Sequence, residues 1–76
     1  MDTLQLLARN LLELSQKNSS VVLTFENDTL LPCKELDEEI AEDLELSPVN
    51  REEVHNLILS LGFGQVNKKN KVQIYF

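Results

Sequence analysis

The spacing of apolar residues changes period along the chain, and this constrains the fold more than any other feature. Leu4, Leu7, Leu11 and Leu14 recur at helical spacing, and Leu6, Ala8 and Leu12 widen the stripe. That pattern predicts an amphipathic helix over 3–17. Asp2 or Thr3 can accept from its free first-turn amides, and Asn18-Ser19-Ser20 supplies a stop. The period then shortens. Val21 to Glu26 is β-branched and aromatic, as in a short strand, and Asn27-Asp28 marks a turn. Leu30-Leu31-Pro32 is a candidate second extended piece, with Pro32 unsuited to a central strand.

Helical spacing returns at Leu36, Ile40, Ala41 and Leu44, which predicts a second helix over 34–45. It returns again at Val54, Leu57, Ile58 and Leu61, a third helix over about 49–61. Two starts compete for the third helix. Ser47 would cap it with Pro48 in the first position, or Asn50 would cap it with Glu53 three residues on. Gly62 suits its C-terminal end. Phe63 to Phe76 reads as two strands around the polar turn Asn67-Lys68-Lys69-Asn70. Val72, Ile74 and Phe76 share one face of the last strand, and Gln73 and Tyr75 share the other. If that last strand lies exposed at an edge, the neighbouring lysines would discourage unwanted pairing.

We therefore expect an α+β domain spanning 1–76, with three helices and a small antiparallel sheet. At 76 residues the chain is too short for a second domain or a deep interdomain cleft. One cysteine, Cys33, cannot form an internal disulfide, which points away from small secreted scaffolds. Met1-Asp2-Thr3 has no basic n-region and Arg9 interrupts the Leu-rich start, so we expect no signal peptide. No apolar run approaches the roughly 18 residues that span a bilayer. The expected compartment is the cytoplasm, with no membrane partner.

Charge is distributed unevenly. The net charge of −6 hides eleven acids against Lys34 and Arg51 in residues 26–53, a balance of −9. Residues 65–76 carry Lys68, Lys69 and Lys71, a balance of +3. The acidic middle repels a phosphate backbone, whereas the basic end attracts one.

The order helix, strand, helix, helix, hairpin resembles that of winged helix-turn-helix domains over nearly the whole chain. The stretch Ile40-Ala41-Glu42-Asp43-Leu44-Glu45-Leu46-Ser47 is similar to the second helix and turn of many such proteins. The resemblance implies that Ala41 packs against the next helix and that Ser47 caps it. Glu45 stands where these families commonly have Gly. Val54 also lies about three residues later than the usual spacing after that turn would place it, and if the turn is lengthened the two helices need not cross at the angle used for groove reading. A hairpin between 29–33 and 21–26 would turn the layout away from a winged helix.

Three functional expectations follow. The first is a non-enzymatic interaction module or regulator. Its acidic second helix would dock a basic protein surface through Glu35, Glu38, Glu39, Glu42 and Asp43. The second is a DNA-binding regulator that uses Arg51 and Asn56 on the third helix, with Lys68, Lys69 and Lys71 on the wing. The third is a DNA mimic of the kind some phage inhibitors use, in which the carboxylates imitate a phosphate row. The first helix exceeds one apolar stripe, so Leu6 and Leu12 are candidates for a homodimer surface. We expect no catalytic residue, metal or cofactor. His55 and Cys33 are the sole His and Cys, and no Walker, dinucleotide or HExxH pattern is present.

Overall fold

The element order is α1 (Thr3–Ser15), β1 (Ser20–Glu26), β2 (Thr29–Leu30), α2 (Glu38–Leu46), α3 (Arg51–Leu61), β3 (Gly64–Asn67) and β4 (Lys71–Tyr75). The structure is a computed structural model and describes residues 2–76; Met1 lies outside the described residues. The four strands form one antiparallel sheet in the order β2-β1-β4-β3. With α1, α2 and α3, this is an α+β fold in a winged-helix-like layout. The pairing of β1 with β4 brings residues distant in sequence together, Ser20 lying opposite Tyr75 and Thr24 opposite Lys71.

The core lies between the helices and one face of the sheet. Period-2 burial in β1 sends Val21, Leu23 and Phe25 inward. The same alternation in β4 buries Val72 and Ile74 and leaves Tyr75 exposed, so the face that the sequence groups as 72, 74 and 76 is the inner one. Leu7 and Leu11 from α1 and Val54 and Ile58 from α3 are fully buried against them. Phe63 and Phe76 meet edge-to-face at 4.9 Å at the open end of the β3–β4 hairpin, opposite its turn.

Three boundaries and one strand position differ from expectation, each for an identifiable reason. First, α1 ends at Ser15; Gln16 and Lys17 form a turn, and the Asn18 N–H still bonds back to the Leu14 carbonyl. Its N-cap is Asp2, whose carboxylate accepts from the Leu4 N–H, while Thr3 is buried. Second, α2 starts at Glu38 rather than at 34. The preceding residues turn, the Leu36 N–H bonding the Cys33 carbonyl, and the Asp37 N–H is taken at 3.1 Å by the side chain of buried Asn10 on α1. An amide held from outside by another helix sets the entry of the chain. Third, α3 starts at Arg51. Asn50 is its N-cap and accepts from the Glu53 N–H at 2.9 Å, whereas Ser47 closes α2 as its C-cap. Ser47 therefore does not cap α3, and the turn between the helices is lengthened. Fourth, β4 is not an edge: it lies between β1 and β3, and β3 occupies the edge.

The hairpin that sequence left open does form. Phe25 faces Leu30 and Glu26 faces Thr29 around the turn Asn27-Asp28. It leaves the winged-helix-like layout intact because β2 adds to the edge of β1 that β4 does not use. Residues 49–50 then close the outer edge of β2. Thr29 bridges Asn50, the Leu30 N–H bonds the Val49 carbonyl, and the Arg51 N–H bonds the Asp28 carbonyl. Those backbone commitments explain why α3 cannot begin at Pro48.

Asn27 and Asp28 both have positive φ, at 51° and 65°. This is the left-handed pair that a two-residue hairpin turn requires and that favours Gly in the second position. Asp28→Gly is expected to raise stability by about 0.5 kcal/mol, a gain of about 2–4 °C in Tm measured by circular dichroism.

Candidate interaction surfaces

The acidic residues converge on one exposed segment. Glu35 lies in the turn before α2, Glu38 and Glu39 in its first turn, and Glu42 one turn on; all four are exposed, and Asp43 is half-buried. The apolar spacing of α2 explains this arrangement. Ile40 and Leu44 face the core, so residues two positions either side face water. Glu38 and Glu39 also sit at the positive end of the helix macrodipole, which favours carboxylates there. The end of α2 is unusual in a different way. Leu46 is 84 % exposed, and helical spacing puts it on the side of Glu39 and Glu42.

The five residues expected to hold DNA are placed differently from one another. Asn56 is exposed on α3, and Lys68, Lys69 and Lys71 are exposed at the β3–β4 turn. Arg51 is half-buried and its guanidinium is engaged. Nη1 donates to the Lys69 carbonyl at 2.7 Å, and Nη2 donates to the carbonyls of Lys71 at 3.0 Å and of Lys68. The same guanidinium stands over the Phe25 ring, 5.4 Å from its centroid. One side chain thus ties the start of α3 to β1 and to the tip of the β3–β4 hairpin. Glu52 and Glu53 flank it and are exposed, so the outward start of α3 is acidic.

Sequence reasoning missed this latch. Its one signal was positional: Arg51 is a cation in the first turn of α3, where the macrodipole disfavours positive charge. Such a residue needs acceptors elsewhere, and here they are backbone carbonyls of another element. Asn10 was missed in the same way, as a polar residue inside a leucine stripe.

The remaining candidates resolve into structural roles. His55 Nδ1 lies 3.0 Å from Gln65 Oε1, and the Gln65 amide reaches the His55 carbonyl at 3.5 Å, linking α3 to β3. Of the two leucines proposed for a homodimer, Leu6 is buried in the core and only Leu12 is exposed. The first helix therefore lacks the second apolar stripe that expectation required. No group of three metal-ligating side chains and no pocket occurs among the described residues. No helix among them is long and apolar enough to cross a membrane.

Cys33 is half-buried, and burial pushes its thiol above the ordinary range, against the lowering effect of the Glu35 and Leu36 backbone amides. A raised pKa means less thiolate at neutral pH. Ellman's reagent is expected to react more slowly with Cys33 than with glutathione at pH 7.5, and the rate–pH midpoint should lie above that of glutathione. Equal rates and midpoints would contradict the burial.

No protein-family model, no curated protein and no solved structure matches the chain. The class of this protein is accordingly defined by its own architecture, an α+β fold with three helices against a four-stranded antiparallel sheet.

Proposed function

We propose that this protein is a non-enzymatic interaction module or small regulator of the cytoplasm that docks a basic surface of a protein partner through α2. The observation that carries this reading is the joint exposure of Glu35, Glu38, Glu39 and Glu42 in a stretch with few cations to neutralise them. Of the two cations in residues 26–53, Arg51 is occupied by the hairpin carbonyls. Exposed Leu46 would add an apolar anchor beside the carboxylates, the arrangement of a contact whose charges steer and whose centre is dry.

Direct DNA binding is the second reading, supported by the exposed Lys68, Lys69 and Lys71 and by Asn56. It is weakened by the engagement of Arg51 and by Glu52 and Glu53 on the groove-facing start of α3. A DNA mimic would use the same α2 face and would be competed from its partner by duplex DNA.

The test is a pair of amide NMR titrations at low salt, one with a Lys/Arg-rich amphipathic peptide and one with a mixed-sequence DNA duplex. The peptide is expected to shift residues 35–46, and the triple charge reversal of Glu38, Glu39 and Glu42 to Lys should weaken it at least tenfold. Peptide shifts spread evenly over Glu13, Glu26, Glu52 and Glu53 would remove the assignment to α2. DNA-induced shifts confined to 51–56 and 66–72 would favour the second reading.

A further inference from the structure

We propose that the free edge of β3 pairs antiparallel with the β3 of a second copy of this chain, extending the sheet across a two-fold axis. The two edges of the sheet are treated differently. At β2, residues 49–50 cover the outer edge through the Leu30–Val49 and Thr29–Asn50 contacts. At β3 no further strand pairs with the outer edge among the described residues, and Gly64-Gln65-Val66-Asn67 carries neither charge nor proline, two devices that blunt an edge.

The hydrogen-bond phase identifies which groups are available. Lys68 and Lys71 bond each other through both N–H groups, so they form a hydrogen-bonded pair across β3 and β4. Alternation then turns the backbone groups of Gly64 and Val66 toward β4, opposite Tyr75 and Gln73. The N–H and C=O of Gln65 and Asn67 consequently point out of the sheet.

One symmetric register uses all of them. Gln65 faces Asn67 of the second copy, which makes four backbone hydrogen bonds, and Val66 faces Val66 on the axis in the close, non-hydrogen-bonded position. Val66 is 44 % exposed and lies on the open sheet face in a row with Gln73 and Val22, with Tyr75 beside it. Pairing would join the two rows through a Val66–Val66 contact.

Charge agrees with this partner. The antiparallel arrangement sends the two lysine turns to opposite ends of the interface, away from each other. The same register places Lys68 of one copy opposite Gly64 of the other, so each lysine turn meets an uncharged residue. A four-residue edge buries little area, so the association belongs in the micromolar-to-millimolar range.

Sedimentation equilibrium of the full chain, from about 10 μM to 1 mM, spans that range of affinity. The mass is expected to rise from 8.7 kDa toward twice that value. Hydrogen exchange at the Gln65 and Asn67 amides should slow as concentration rises. Val66→Lys sets two ammonium groups face to face on the axis, and Asn67→Pro removes an outward N–H that β4 does not use. Each is expected to weaken association at least tenfold while leaving Tm at low concentration within a few degrees of the parent. A mass of 8.7 kDa at every concentration would overturn the proposal. So would a dimer insensitive to both variants with unchanged exchange at Gln65 and Asn67, which would move the interface to another surface such as that of Leu12.

Discussion

Leu36→Ala is expected to destabilise the protein by about 3 kcal/mol, whereas Leu46→Ala should change stability by less than about 0.5 kcal/mol. Both leucines flank the same acidic helix, and their environments are opposite. Leu36 is 6 % exposed and packs with Ile40 and Leu44, although it precedes α2 and sits in a turn. Leu46 ends α2 at 84 % exposure. A truncation at Leu36 removes transfer energy and leaves a cavity in a small core; a truncation at Leu46 removes surface already wet. For a domain of this size the first change lowers Tm by roughly 12–24 °C. Urea denaturation of both variants measures the difference. Equal costs would show that the turn 34–37 does not hold Leu36 in the core. The surface variant has a second use: Leu46→Ala should weaken binding of the basic peptide without touching the fold.

Arg51→Ala should cost about 2 kcal/mol, an effect well above that of an ordinary surface charge. A charged donor bonding neutral carbonyls is worth about 1.5–3 kcal/mol when shielded. Arg51 is half-buried, so its three bonds count for less than their sum. Lys at the same position should recover less than half. One ammonium on a flexible stem cannot reach three carbonyls as the planar fork does, nor lie flat over Phe25. Thermal melts give the magnitude. Hydrogen exchange at Lys71, whose N–H bonds the Lys68 carbonyl within the latched turn, gives the location. If Ala and Lys both matched the parent within about 0.3 kcal/mol, the latch would hold nothing that water does not hold equally well.

The latch also bears on what the β3–β4 hairpin presents. By binding the carbonyls of Lys68, Lys69 and Lys71, Arg51 fixes the backbone of the turn whose lysine side chains are exposed. The most basic part of the chain is therefore held to the start of α3, next to Glu52 and Glu53. This juxtaposition is the physical reason for preferring a protein partner at α2 over a phosphate backbone at α3.

Much of this fold was legible in the residues. The leucine spacing of α1, the β-branched run of β1 and the alternation of Val72, Ile74 and Tyr75 each named an element, and the alternation also separated the two faces of β4. The reason is local: a side chain's face follows from the period of its own backbone, which neighbours in sequence already set. The exposure of Glu38, Glu39 and Glu42 was legible on the same ground, because Ile40 and Leu44 specify the opposite side of the helix; Glu35 lies in the turn before it.

Other features were decided between elements distant in sequence. Asn10 takes the amide of Asp37 and delays α2; residues 49–50 pair with β2 and delay α3; Arg51 reaches carbonyls seventeen to twenty residues away. Which strand became the edge was of this kind as well. The identities of Gln65 and Val72 place each on a strand, yet only the pairing of β1 with β4 sends β4 to the middle and leaves β3 open. A chain's pattern of polarity determines what each segment must bury. Which backbone groups are left to be satisfied depends on which segments meet, and those unsatisfied groups set the helix starts, the latch and the free edge.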